Sequence, residues 1–254
     1  MDGSVARRAW TGGPAEIAAA ARWLEDVPAE QVLDWAVARF APRLAFATAF
    51  GPEGLVLLHL IASRRLPVDV FTLDTGLFFP ETYALWRRLE ARYGITVRAV
   101  RPHLSLDEQA ARHGQALWER DPDRCCQIRK VDPLQESLAG HRAWITAIRR
   151  DQTGERSLAA VVEHDLRHGL VKVNPLLGWS SARVWAYLRE HEVPTNPLHG
   201  AGYPSIGCWP CTSPVSADEN PRAGRWRGRG KTECGLHLRD GRRGRGLESE
   251  AERS

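Results

Sequence analysis

The chain has 254 residues, 43% of them apolar, with 35 basic side chains against 31 acidic ones and five cysteines. A chain of this length buries a sizeable core without disulfide staples, as one large α/β domain or two small ones. Its longest apolar runs, such as residues 55–62 with His59 inside, stop far short of the roughly 18 residues that a membrane span requires, so no membrane role is expected.

In chain order, residues 1–10 carry two arginines with no apolar stretch behind them, which is unlike a secretory signal and points to the cytoplasm. Two helical patterns follow over residues 14–25 and 28–40, opened by Pro14 and Pro28, and they read as a helical cap over residues 1–43. Leu44-Ala45-Phe46-Ala47 reads as a buried strand, residues 48–54 as a turn and residues 55–63 as an apolar helix. A second strand over residues 68–73 ends in Asp74-Thr75-Gly76, which completes a βαβ unit. A helix over residues 81–93 and a strand over 95–100 repeat the pattern, predicting an open, mostly parallel sheet flanked by helices in a single α/β domain. After His103 the pattern is helical to about residue 139, followed by strands over 143–148 and 170–173 and a helix over 180–191. From Asn196 prolines and glycines dominate, so this part reads as loops held by something other than a regular core, and the Arg-, Gly- and Glu-rich tail 241–254 reads as disordered.

In such a sheet, ligands bind beyond the carboxyl ends of the strands, where loops and helix N-termini present backbone N–H groups. Residues 48–54 supply a hydroxyl, two glycines and a helix start, which suits a nucleotide phosphate, although an ordinary strand-to-helix turn looks the same. The loop lacks the Lys-Ser ending of a Walker P-loop, so hydrolysis of a γ-phosphate is not indicated. Asp74 fits the same edge or a helix cap.

The cysteines say more. Cys208-Trp209-Pro210-Cys211 has the two-residue spacing that lets both sulfurs reach one metal centre, and its partner is the vicinal pair Cys125-Cys126. Adjacent side chains diverge and make awkward corners of one zinc tetrahedron, whereas each can bind a different iron of a cubane, so a [4Fe–4S] cluster is favoured over zinc. Buried unliganded thiols or a vicinal disulfide would explain one pair and ignore the other. Cys234 stands apart in Lys231-Thr232-Glu233-Cys234-Gly235-Leu236-His237, where cations favour a thiolate and glycines favour motion, as a mobile nucleophile requires. Glu233 works against a lowered thiol pKa, and an incidental cysteine is the plain alternative. Basic residues flank both cysteine groups: Arg129-Lys130, Arg149-Arg150, and Arg222 with Arg225. All but three of the 35 basic residues are arginines, whose planar fork suits phosphate and sulfate.

Taken together, Leu73-Asp-Thr-Gly76, Arg124-Cys-Cys-Gln-Ile-Arg-Lys-Val-Asp-Pro133, Trp144-Ile-Thr-Ala-Ile-Arg-Arg-Asp-Gln152, Gly207-Cys-Trp-Pro-Cys211 and Glu233-Cys-Gly-Leu-His237 resemble the assimilatory adenylyl-sulfate reductases, over about residues 44–237. The resemblance implies an adenine-nucleotide α-hydrolase-like fold, with a nucleotide-binding and iron–sulfur body over 44–220 and a mobile catalytic segment over 221–240. It implies that Cys234 attacks the sulfur of adenylyl sulfate, expels AMP and becomes S-sulfocysteine, which thioredoxin reduces to release sulfite. Cys125, Cys126, Cys208 and Cys211 would hold the [4Fe–4S] cluster. Thr48, Phe50, Gly51, Leu73, Asp74, Thr75, Lys130, Arg149, Arg156, Arg222, Arg225 and His237 would contact the substrate. Ala147 stands where relatives commonly have glycine, and the Thr48 loop lacks their serine-glycine wording. The expected partners are thioredoxin and the sulfonucleotide, with no nucleic acid or membrane and with a homo-oligomer left open. A phosphoadenylyl-sulfate reductase is the nearest alternative. A cluster-dependent tRNA thiolase would need a Ser-Gly-Gly-x-Asp-Ser loop, and a zinc-stabilised nucleic-acid module would leave Cys234 and the nucleotide loops unexplained.

Overall fold

The computed structural model describes residues 12–231 and 233–236. Strands β1 (Leu44–Ala47), β2 (Asp69–Leu73), β3 (Arg98–Val100), β4 (Ala143–Ile145), β5 (Val162–Asp165) and β6 (Leu170–Val173) form one sheet in the order β3-β2-β1-β4-β6-β5. All neighbours are parallel except β5 and β6, which pair antiparallel, with Leu44 opposite Ala143 and Ala45 opposite Asp69 fixing the register at the centre.

Helices cover both faces. On one, α1 (Pro14–Leu24), α2 (Ala29–Phe40), α3 (Pro52–Ser63), α4 (Pro80–Tyr93) and α9 (Ser181–Glu190) pack over Phe46, Val70, Ile145 and Val173. α3 buries Leu55, Val56, Leu57, Leu58, Leu60 and Ile61, so it is apolar nearly all round, as a central core helix must be. The opposite face presents Ala45, Phe71, Leu73 and Trp144 to Leu134 and Leu138 of α8 (Asp132–Leu138). Adjacent Ala45 and Phe46 thus serve opposite layers, the period of two that a strand imposes.

The expected helical stretch after His103 is divided. α5 (Leu106–His113) starts at a Ser105/Glu108 capping box and stops at Gly114, whose φ of 82° favours glycine. α6 (Leu117–Arg120) and α7 (Pro122–Cys126) follow, and then a π-helical turn over Gln127–Val131. Pro133 accounts for this turn: it lacks an N–H and crowds the carbonyl four residues back, and the wider turn accommodates it, with Asp132 N–H bonding instead to Gln127 O.

Three expected elements shift. The strand expected over 95–100 forms only at Arg98–Val100, and the one over 143–148 ends at Ile145, where the chain turns into a loop. The helix expected from residue 55 starts at Pro52. β5 was not foreseen, because Glu163 and His164 interrupt its apolar character. Among the described residues after Asn196, regular structure is limited to short 3₁₀ turns at Pro197–Ala201 and Trp209–Cys211. Residues 221–231 are packed onto the body: Arg225 bridges Thr212, and Trp226 is buried. The cap helices share the principal core. His237 and residues 241–254 lie outside the described residues. Among the described residues no helix is long and apolar enough to cross a membrane.

Candidate active site

β1 and β4 are neighbours whose following strands lie on opposite sides, which opens a crevice at their carboxyl ends. A cleft of about 690 Å³ occupies it, walled by Thr48, Gly51 and Gly54 after β1, Leu73 at the end of β2, and Ala147, Ile148, Arg149, Asp151 and Gln152 after β4. Thr48 is buried, and its Oγ1 accepts from Phe50 N–H at 3.1 Å. Gly54 lies against that hydroxyl: a Cβ there would stand 2.8 Å from Thr48 Oγ1, closer than side-chain carbons approach.

One wall of the cleft is cationic. Lys130, Arg149, Arg156, Arg222 and Arg225 all line it, together with Cys234 and Cys208. Arg149 lies 3.2 Å from both Glu53 and Asp151. Arg156 and Arg222 lie 2.9 and 3.5 Å from the carboxylate of Glu233, a side chain only 3% exposed. Arg149 Nη1, Arg156 Nε and Arg225 Nε are buried without a hydrogen-bond partner among the described residues, whereas Arg149 Nε faces Glu53 in the ion pair. Unspent buried donors of this kind suit an anionic ligand. Burial lowers the pKa of Arg222, with Glu233 opposing the shift. Arg225 stacks 4.5 Å from the ring centroid of Trp226 and runs directly over Gly207, where a Cβ would come within 2.3 Å of its guanidinium.

The cysteines gather beside this wall. Cys126, Cys208 and Cys211 share an apolar cluster with Leu77 and Trp226, which half-buried Cys234 joins at the edge. Cys125 is buried next to Leu117 and Ile128, and none of the five is in a disulfide. Burial pushes the thiol of Cys125 up to about 11 and that of Cys126 up to about 12, and the neighbouring sulfurs add to the rise at Cys125. Burial alone would lower Lys130, but the sulfurs of Cys208, Cys126 and Cys234 outweigh it and raise its pKa. Two further contacts tie the cysteine loops to the nucleotide edge. Thr75 Oγ1 lies 3.3 Å from Cys208 Sγ, and buried Arg129 donates to Thr75 O at 2.6 Å and to Gln109 Oε1 at 3.1 Å.

Among the described residues no three Cys, His, Asp or Glu side chains converge closely enough to hold a single metal ion. The donor set itself fits an iron–sulfur group: four buried sulfurs, Gln109 Nε2 at 3.9 Å from Cys125 Sγ, and cations on Lys130, Arg225 and Arg229 to offset an anionic centre.

Most of the expected substrate residues meet in the cleft: Thr48, Gly51, Leu73, Lys130, Arg149, Arg156, Arg222 and Arg225. Phe50, Asp74 and Thr75 do not line it. Phe50 turns through a φ of 58° and stacks on Trp86 in the core. Asp74 accepts from Gly76 N–H, Tyr83 Oη and Arg101, which makes it a brace of the loop after β2. His237 lies outside the described residues. Two cleft features escaped the sequence reading. The role of Glu233 as a buried partner of two arginines is invisible in a Gly- and Arg-rich segment. Trp144 and Leu236, which meet at the cleft floor, gave only a generic apolar signal.

A family profile for the phosphoadenosine phosphosulfate reductase domain matches residues 43–214. The chain is 50% identical over 207 residues to the adenosine 5'-phosphosulfate reductase of Salinibacter ruber, covering 81% of this chain and 82% of the relative. It is 47% identical over 220 residues to the phosphoadenosine 5'-phosphosulfate reductase of Gloeobacter violaceus, covering 85% and 91%. Among solved structures, the phosphoadenylyl-sulfate reductase of Candida auris in complex with phosphate superposes with a TM-score of 0.70 at 38% identity, covering 80% of this chain and 98% of that one. With the cleft at the sheet's switch point and the cysteines beside it, these similarities establish that the chain belongs to the phosphoadenosine phosphosulfate reductase family.

Proposed function

We propose that the protein reduces adenylyl sulfate to sulfite and AMP in the cytoplasm, with thioredoxin as the electron donor. The observation that carries this reading is the meeting of Cys234 with Lys130, Arg149, Arg156, Arg222 and Arg225 in one cleft at the β1/β4 crevice. The loop after β1 and Leu73 receive the nucleoside, and the cationic wall receives the phosphosulfate.

The Cys234 thiolate attacks the sulfur of the sulfate group. An S–S bond forms, the bond from sulfur to the bridging oxygen breaks, and AMP leaves with the electron pair. Lys130 and the arginines disperse the charge that builds on the leaving phosphate, an interaction strongest in the transition state. A thioredoxin thiolate then attacks Cys234 Sγ and displaces sulfite. The second thioredoxin thiol resolves the mixed disulfide, so the dithiol supplies both electrons and Cys234 returns as a thiolate.

Cys125, Cys126, Cys208 and Cys211 would hold a [4Fe–4S] cluster. When bound, it supplies a fixed local field and ties the two cysteine loops together. The chain's own residues accomplish the sulfur transfer, and a thiol-exchange route takes no electron from the cluster.

The test compares thioredoxin-dependent sulfite release from adenylyl sulfate and its 3'-phosphorylated form on anaerobically purified protein whose iron has been counted. The expected result is about four irons and a preference for adenylyl sulfate. Preference for the phosphorylated form would make the protein a phosphoadenylyl-sulfate reductase instead, and one zinc in place of iron overturns the cluster. Cys234→Ser should keep the visible absorbance of the iron protein and form no labelled sulfo-intermediate; label retained on this variant would show that the nucleophile is another residue.

A further inference from the structure

Beyond the ion pair of Lys231 with Asp123, the segment that carries Cys234 is held at three points. The Glu233 carboxylate lies between Arg156 and Arg222, with Thr153 Oγ1 at 3.4 Å. Arg167, at the tip of the β5–β6 hairpin, donates to Gly235 O at 2.7 Å. Leu236 packs on the layer formed by Leu73, Leu134 and Trp144. The last two holds are a side-chain hydrogen bond to a backbone carbonyl and an apolar contact. Glu233 is different in kind, because its partners are two of the arginines that line the cleft.

A carboxylate only 3% exposed forfeits most of its hydration, which is tolerated only where cations replace it. Glutamine has nearly the same shape, would still accept from one guanidinium and would avoid that cost. The full charge therefore has a consequence beyond packing: it neutralises the arginines that an incoming phosphosulfate needs.

We propose that Glu233 is a positioning residue for Cys234 that also acts as a resident counter-anion, holding Arg156 and Arg222 until the anionic end of the nucleotide competes for them. The inference rests on the substrate reading above. In the nucleotide-free molecule the ion pairs fix Cys234 at the cleft. When the phosphosulfate arrives it shares the same guanidiniums, so part of its binding energy is spent on displacing the carboxylate. Transfer of the sulfo group to Cys234 then leaves a second anion beside Glu233, and the two compete for the same cations, which loosens the segment when the reductant must reach it.

Two readouts test this, and one requires no turnover. The first is the rate at which iodoacetamide alkylates Cys234 in nucleotide-free protein, followed by mass spectrometry of the peptide. In Glu233→Gln it should rise at least about fivefold as the segment is released. The second is the affinity for adenylyl sulfate in a Cys234→Ser background, where the nucleotide binds without being cleaved. Adding Glu233→Gln should tighten binding about three- to tenfold, because the arginines no longer have a competing anion.

A merely structural carboxylate would weaken both protection and binding, so the opposite signs are diagnostic. Glu233→Asp keeps the charge on a shorter arm; it should bring affinity back to that of the Glu233 protein while alkylation stays partly raised. In Glu233→Gln, unchanged alkylation, unchanged or weaker nucleotide binding, or movement of only one readout overturns the proposal. If the Cys234→Ser protein with Glu233 intact fails to bind adenylyl sulfate, the substrate reading falls, and the alkylation rates still decide whether Glu233 holds the segment.

Discussion

Replacing Arg129 with methionine tests how the cysteine loops are attached to the sheet. Arg129 is 4% exposed and spans three separate pieces of chain. Its Nε donates to Thr75 O at 2.6 Å, and its Nη1 donates to Leu104 O at 3.3 Å and to Gln109 Oε1 at 3.1 Å. Methionine keeps much of the volume and removes all three bonds. Gross hydrogen-bond energy overstates the loss, because deleting a buried cation also recovers its desolvation cost, which is visible in the lowered pKa of Arg129. What remains is three acceptors without a donor, at about 1 kcal/mol each, or about 3 kcal/mol in total. In a chain of this size that corresponds to a fall of about 6–12 °C in the thermal midpoint. The assay is an anaerobic thermal scan at fixed rate, following far-ultraviolet dichroism and the visible absorbance of the proposed iron–sulfur cluster together. The visible signal should be lost first, because Arg129 joins the loop after β2 to the turn that follows Cys125 and Cys126. A midpoint within about 2 °C of wild type would show that water or neighbouring donors replace the guanidinium, and the reasoning would fail.

Other perturbations follow from the same geometry. Gly224→Ala would put a Cβ 2.1 Å from Ser213 O, a backbone atom that cannot swing aside. It should break the Thr212–Arg225 bridge, cost about 1–3 kcal/mol and slow turnover at least tenfold by displacing Arg225, as steady-state kinetics and denaturant unfolding would reveal. Asp165 accepts from Trp144 Nε1 at 2.9 Å and pairs with His168 at 3.0 Å. Burial alone would raise its pKa, but His168 and Lys172 overcome this and the net shift is downward. A carboxyl with a depressed folded pKa stabilises fully above its unfolded value and loses that contribution as pH falls through the folded one. Thermal midpoints measured from neutral pH to below the ordinary carboxylate range should therefore fall more steeply for wild type than for Asp165→Asn, and parallel curves would refute the assignment.

Much of the centre of this fold can be read from local sequence, because its signals are local. Leu44 to Ala47 is a short apolar run before a Gly- and Pro-containing turn, and the repeat of strand and helix through Val100 leaves a parallel sheet as the natural reading. The cysteines and the basic residues can be singled out by residue type and spacing, and the fold brings Cys126, Cys208 and Cys211 into one apolar cluster and Lys130, Arg149, Arg156, Arg222 and Arg225 into one cleft. What stayed hidden depends on partners distant in sequence. β5 carries Glu163 and His164, and its strand character comes from pairing with β6 and packing against α1. Asp74 and Thr75 sit on the expected edge, but their side chains are claimed by Tyr83, Arg101 and Cys208. Glu233 reads in the sequence only as a charge opposing the Cys234 thiolate, until Arg156, 77 residues upstream, is brought against it.

The π turn between the cysteine pair and α8 makes the length of this stretch consequential. A regular α-helix turns through about 100° per residue, so removing one residue from Gln127–Val131 and closing the turn to ordinary pitch would rotate everything beyond it by about a quarter of a revolution. Leu134 and Leu138 would swing away from Phe71 and Trp144, or else Cys126 would swing away from Cys208 and Cys211. Both faces can be satisfied at once only with the extra residue in place. Length changes here should therefore be less tolerated than most substitutions, and a deletion that keeps every cysteine would still separate the cysteine-bearing face from the sheet-packing one.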